Sequence, residues 1–213
     1  MAASVIWAVQ NVYEARGAAG PLVRVALARL DGDRAAYRAQ GRAARELLCW
    51  LARASLGEAA SSLEVGATAA GQPLLLAGGQ PLADLAVSLS HSHDWVAAGL
   101  ARGARLGVDV ERENPRRRIA AMAEWMGWSD CREAAEFYRA WTYREARIKC
   151  RGGSLPAAGE DILPAAPGDV AGRHHVFCTR PAPGVHACMV IETDLLLRMG
   201  WTAIGAQRPP TWS

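Results

Sequence analysis

A chain of 213 residues, 51% hydrophobic and 21% charged, can bury a sizeable core as one large domain or two small ones. A net charge of +3 is too small to argue for nucleic acid, though it suits an anionic ligand or an acidic partner. No stretch nears the roughly 20 apolar residues of a spanning helix, so no membrane partner is expected.

The N-terminus, MAASVIWAVQNVYEARG, has no basic stretch before its short apolar run. That predicts no secretory signal and a cytoplasmic protein. The five cysteines, Cys49, Cys131, Cys150, Cys178 and Cys188, are scattered and form no CxxC pair. Neither a disulfide framework nor a cysteine zinc site is supported, and most of them read as reduced core or surface thiols.

Residues 5–10 and 22–28 read as short strands. From Arg34 to Ser55 the pattern turns helical, with Tyr37, Ala44, Leu48, Leu51 and Ser55 on one face and Gly57 as its stop. Residues 61–84 are rich in Gly, Ala, Ser and Leu, and GQP at 71–73 marks a turn. LAVSLSH (85–91), WVAAGLA (95–101) and LGVDVER (106–112) follow as strands, broken at Ser92-His93-Asp94 and at RGAR, and predict an antiparallel meander.

Beyond ENPRRR, Ile119 to Trp128 reads as a short amphipathic helix with Ile119, Met122, Ala123 and Met126 on one face. A longer helix begins after Ser129-Asp130, where Asp130 and Glu133 resemble a capping box, and stops at Gly152-Gly153. Strands follow around His174–Cys178 and Val185–Ile191, and the tail QRPPTWS is expected to be disordered. A long helix followed by strands thus occurs twice, which suggests an α+β fold built from a duplicated unit, without any residue-level repeat.

GVDVE (107–111) puts Asp109 and Glu111 on one face of a strand, where two adjacent carboxylates repel. Either that face is solvated or something positive lies beside it. On the second long helix Trp141, Glu145 and Lys149 are spaced by four and share a face next to the apolar stripe of Ala134, Tyr138, Trp141 and Ile148. Taken alone, Glu145 and Lys149 are a surface i,i+4 pair. Taken with Asp109 and Glu111, Glu145 completes a set of three carboxylates whose oxygens suit Mg²⁺ shared with a phosphate. His91 and His93 could form a zinc pair, but further ligands at convincing spacing are lacking; a backbone-bonded or phosphate-binding histidine is the alternative. His174, His175 and His186 read as surface or strand residues. Arg34, Arg38, Arg42 and Arg45 make a basic stripe, either a solvated helix face or a phosphate contact. P-loop, GxGxxG and GxSxG patterns do not occur.

In order, SLSHS (88–92), GVDVE (107–111) and FYRAWTYREARIK (137–149) closely resemble the 4′-phosphopantetheinyl transferases of the surfactin-synthetase-activating type. Their pattern is a Ser-His-Ser strand, a G-[IV]-D-x-E strand and a W-x-x-K-E-A-x-x-K helix. Here Arg144 stands for the lysine before the motif glutamate, Arg147 takes a place that is often aromatic, and Gln72 stands for the lysine of a GKP turn. The resemblance implies a monomer of two similar α+β halves related by a pseudo-twofold, each a long helix on a small antiparallel sheet. The halves would span 1–101 and 102–205, with 206–213 a flexible tail.

It also implies transfer of phosphopantetheine from coenzyme A to a serine of an apo acyl or peptidyl carrier protein, with Mg²⁺, releasing adenosine 3′,5′-bisphosphate. Asp109, Glu111 and Glu145 would be the metal ligands. Arg45 and His91 would contact the 3′-phosphate of the coenzyme, with Ser90 beside them, and Lys149 would meet the pyrophosphate. Glu145, Lys149 and Asp109 would be the catalytic groups. Two other classes stay open: a non-catalytic module that binds coenzyme A or a carrier protein, and a magnesium-dependent phosphohydrolase.

Overall fold

A computed structural model describes residues 7–16, 22–31, 39–57, 62–128, 131, 133–153, 170–171, 174–193 and 202–204. Arg34, Tyr37, Arg38, Ser129, Asp130 and the tail QRPPTWS lie outside these residues. Among the described residues the fold is α+β, with three helices and several antiparallel sheets. None of the helices is long and apolar enough to cross a membrane.

The first strands, β1 (Trp7–Arg16) and β2 (Leu22–Leu30), pair antiparallel and run longer than their apolar cores predict. Helix α1 (Gln40–Leu56) follows, burying Ala44, Leu48 and Leu51 as its spacing predicts, and Gly57 ends it at φ +75°. Residues 61–84 hold more structure than a turn-rich segment. β3 (Leu63–Ala67), β4 (Pro73–Ala77) and β5 (Gln80–Pro81) form a three-stranded sheet, with Gly71 at φ +79° in the GQP turn. Leu63-Glu64-Val65 alternates over three residues only and Leu74-Leu75-Leu76 is wholly apolar, so neither run is long enough to flag a strand.

β6 (Leu85–Ser92) and β7 (Trp95–Arg102) form the expected hairpin around His93, which sits at φ 55°. The meander stops there. β8 (Arg105–Arg112) leaves that sheet and pairs with a strand near the end of the chain. Short helix α2 (Ile119–Trp125) packs Ile119 and Met122 beside helix α3 (Ala134–Cys150). The capping box of α3 joins Glu133 to Glu136, a turn later than the sequence suggests. Gly152 and Gly153, at φ +88° and +90°, end it. β9 (Val170–Ala171), β10 (His174–Ala182), β11 (Val185–Glu192) and β12 (Thr202–Ile204) complete the chain.

The sheets stack in layers. A five-stranded sheet, β12-β1-β2-β7-β6, packs α1 on one face through Val9, Val12, Ala26, Ala28 and Ala98. Its other face, with Val23, Val25, Leu27 and Ala97, meets Val108, Val110, Ala187 and Met189 of the four-stranded sheet β8-β11-β10-β9. The far face of that second sheet is covered by Tyr143, Ala146 and Cys150 of α3. The alternation of buried side chains on both faces follows from the two-residue period of the strands.

Cys178 and Cys188 face each other across β10 and β11 and are joined as a disulfide, whereas Cys49, Cys131 and Cys150 are free. The free thiols fit the expectation that most of the cysteines are reduced, and the Cys178–Cys188 pair is the exception to it. The pairing comes from strand register, which spacing along the chain does not reveal.

Candidate functional site

Gly107 decides how the two key elements meet. A Cβ built on it would lie 1.8 Å from the Ala146 carbonyl oxygen and 2.6 Å from the Cys150 nitrogen. With only hydrogen at this position, α3 lies directly on β8. That contact carries Glu145 and Lys149 to the strand that bears Asp109 and Glu111.

The result is one cleft of about 1050 Å³. Arg45 of α1 lines it, with Ser90 and His91 of β6, Asp109 and Glu111 of β8, and Trp141, Glu145 and Lys149 of α3. Arg45, Ser90, His91, Asp109, Glu111, Glu145 and Lys149, the residues to which the resemblance gives a role, therefore reach a common cleft. Sequence reasoning passed over Thr68, Arg105 and Arg151, which line it too. Gln72, noted only as a departure from a lysine, also lies on the wall. The first of these sits in a turn between short strands, where no periodic signal exists.

Each carboxylate on β8 has its own partners. Asp109 is 5% exposed. Its Oδ1 accepts from Ser90 Oγ at 2.7 Å and from Lys149 Nζ at 2.7 Å. Lys149 also donates to the Val108 carbonyl at 3.1 Å. Burial pushes the Asp109 carboxyl up to about 6, with Lys149 and Ser90 pulling the other way and Glu111 adding to the rise. Glu111 Oε2 accepts from Ser92 Oγ at 2.7 Å and stands 3.8 Å from Arg117. The Arg117 guanidinium in turn lies over the rings of Tyr138 and Trp141 at 5.3 and 5.9 Å. The shared face of the strand is thus balanced by hydroxyls and cations of the chain itself.

Lys149 turns to Asp109, so the plain Glu145–Lys149 surface pair gives way, and Glu145 Oε1 stands 3.7 Å from Arg144. Arg45 bonds its own helix at the Gly41 carbonyl, 3.0 Å away. Arg42 pairs with Glu46 at 3.4 Å, so the basic stripe divides and Arg45 alone of that pair lines the cleft. The His91 ring is held below the usual histidine range, first by partial burial and then by the Lys149 charge. His93 is in the turn rather than beside His91 in the cleft. His186 is buried, hydrogen-bonded to Glu113 at 2.7 Å and stacked on Tyr138, a packing role in its strand.

Asp109 Oδ2 is buried without a hydrogen-bond partner. A buried, unpaired carboxylate oxygen beside a second carboxylate fits a hard cation with oxygen ligands. Among the described residues, however, no three of His, Cys, Asp and Glu meet as a ready-made cluster. Asp109 and Glu111 are the pair that fits. Glu145 lines the same cleft.

No protein-family model matches the chain, and no curated protein matches it.

Proposed function

We propose that the protein transfers phosphopantetheine from coenzyme A to a serine of an apo carrier protein. The observation that carries this reading is the convergence of SLSHS, GVDVE and the Glu145–Lys149 helix face on one cleft, with Asp109 Oδ2 buried and unpaired there. The cleft is large enough for a nucleotide-sized ligand.

In this reading Arg45 and His91 bind the 3′-phosphate of coenzyme A, as a fork donor and a ring donor. Asp109 and Glu111, with Glu145 on the same cleft, would hold Mg²⁺, which would supply positive charge against the pyrophosphate. Glu145 takes the proton from the carrier serine, directly or through a water. The serine oxygen forms a bond to the β-phosphorus while the bond from that phosphorus to the bridging oxygen breaks. Lys149 stabilises the departing phosphate of adenosine 3′,5′-bisphosphate. The attacking serine belongs to the partner, so no serine of this chain acts as nucleophile.

The reading includes a monomer of two similar halves related by a pseudo-twofold, working in the cytoplasm. Helix α1 covering one face of the layered sheets and α3 covering the opposite face support the two-half arrangement.

The test is the intact mass of apo carrier proteins of several types after incubation with this protein, coenzyme A and Mg²⁺, beside an EDTA control. A metal-dependent gain of one phosphopantetheine is expected. Coenzyme A binding with no gain on any carrier would leave a non-catalytic binding module. Hydrolysis of other nucleotides in preference to coenzyme A would leave a phosphohydrolase.

A further inference from the structure

β6 and β8 lie side by side but belong to different sheets. β8 is an edge strand, and its outward N–H groups need partners. Side chains supply them. Ser88, Ser90 and Ser92, at alternate positions of β6, accept the backbone N–H of Val108, Val110 and Arg112 at 2.9, 3.3 and 3.2 Å. A ladder of hydroxyls replaces the backbone ladder.

A serine hydroxyl has one proton and two lone pairs. Once the backbone N–H has taken a lone pair, the proton is still available. Ser90 gives it to Asp109 Oδ1 and Ser92 to Glu111 Oε2, both at 2.7 Å. His93 Nδ1, 3.3 Å from Ser92 Oγ, meets the remaining lone pair in the tautomer that protonates it. The rung at Ser88 differs. The residue that corresponds to Asp109 and Glu111 on that rung is Gly107, which has no carboxylate to receive the proton.

We propose that Ser92 is a positioning residue. Its hydroxyl aims the Glu111 carboxylate into the cleft, so cation binding at the Asp109–Glu111 pair depends on it, whereas Ser88 serves the sheet contact alone. This rests on the reading that the pair holds a divalent cation. Ser92 does not touch substrate in this scheme. It acts through Glu111, as groups behind a metal ligand commonly do.

The test measures Mn²⁺ binding to the full chain by the electron spin resonance of free Mn²⁺, for the wild type, Ser88→Ala, Ser92→Ala and Ser92→Thr. Each alanine removes one acceptor of a backbone N–H, so both should lower the denaturant midpoint. Only Ser92→Ala should weaken Mn²⁺ binding, by about tenfold, and Ser92→Thr, which keeps the hydroxyl, should restore most of it. If Ser92→Ala does not fold, Ser92→Cys keeps the volume and exchanges the hydroxyl for a weak donor, and the same loss is expected. Equal Mn²⁺ affinity in Ser88→Ala and Ser92→Ala overturns the positioning role. Transfer measured by mass on the same samples separates the two ideas. Normal transfer with equal affinities sinks the role of Ser92 alone, while a wild type that neither binds Mn²⁺ nor transfers sinks both.

Discussion

Lys149 Nζ and Asp109 Oδ1, 40 residues apart in sequence, stand 2.7 Å from each other at the junction of α3 and β8. The bond gives a buried carboxylate its counter-ion and brings the cation to the cleft wall. Lys149→Met keeps the apolar stem and removes the charge. Asp109 should then titrate higher than in the wild type. Because Lys149 is 31% exposed, the stability loss near neutral pH should be a modest 1–3 kcal/mol or about that. Denaturant unfolding at about pH 8 measures it, and an unchanged midpoint would mean that the bond contributes nothing to the fold. Transfer should fall as well, read by carrier mass.

Asp109 itself makes stability depend on pH. Its folded carboxyl is raised to about 6, so the fold favours the protonated form. That contribution is present in full below the ordinary carboxylate range, about 4, and is lost as pH rises through about 6. Asp109→Asn should therefore match the wild type at about pH 4 and become relatively more stable by about pH 8, by up to roughly 2–3 kcal/mol. It should also lose divalent cation binding. Unfolding curves at both pH values check the sign, and a variant that loses relative stability as pH rises would contradict it.

Glu145 lines the cleft at 28% side-chain exposure, with Arg144 its nearest cation at 3.7 Å. Glu145→Gln preserves shape and removes the base. Transfer should be abolished while the melting point barely moves, a change of about 0.5 kcal/mol or less. Transfer near the wild-type rate would take Glu145 out of the mechanism.

His91 faces the same cleft from β6. His91→Ala should weaken coenzyme A binding about tenfold, the worth of one charge-assisted hydrogen bond. Titration calorimetry with coenzyme A and with its 3′-dephospho form would show the loss for the first and little change for the second. Equal loss for both would remove the 3′-phosphate contact from its role.

Gly107 should tolerate no side chain. The methyl of Gly107→Ala would meet the Ala146 carbonyl at 1.8 Å, a backbone atom that cannot rotate away. A stability loss of about 3 kcal/mol or more is expected, with loss of cation binding as α3 moves off β8. Chemical denaturation and Mn²⁺ titration would test it, and a neutral variant would mean that the helix does not lie against the strand.

The local periods of the sequence determined a good deal of this molecule. The alternation within LAVSLSH and the short apolar runs of WVAAGLA and Val185–Ile191 mark strands that are present. The spacing of Ala44, Leu48 and Leu51 marks the buried face of α1. The spacing by four of Trp141, Glu145 and Lys149 brings all of them to one cleft. These are properties of neighbouring residues, and backbone geometry converts spacing into facing without outside help.

What lies across those faces was decided only by the tertiary structure. β8 abandons its hairpin for β11, because the apolar sides of Val108 and Val110 are buried between two sheets. Lys149 meets Asp109 instead of Glu145, Arg117 reaches Glu111, and Cys178 meets Cys188. The serines of SLSHS look like ordinary alternate strand positions until β8 arrives with its unpaired N–H groups. A period states which side of an element is buried or polar. The choice of partner depends on which distant segment the packing brings within about 3 Å, the reach of a hydrogen bond.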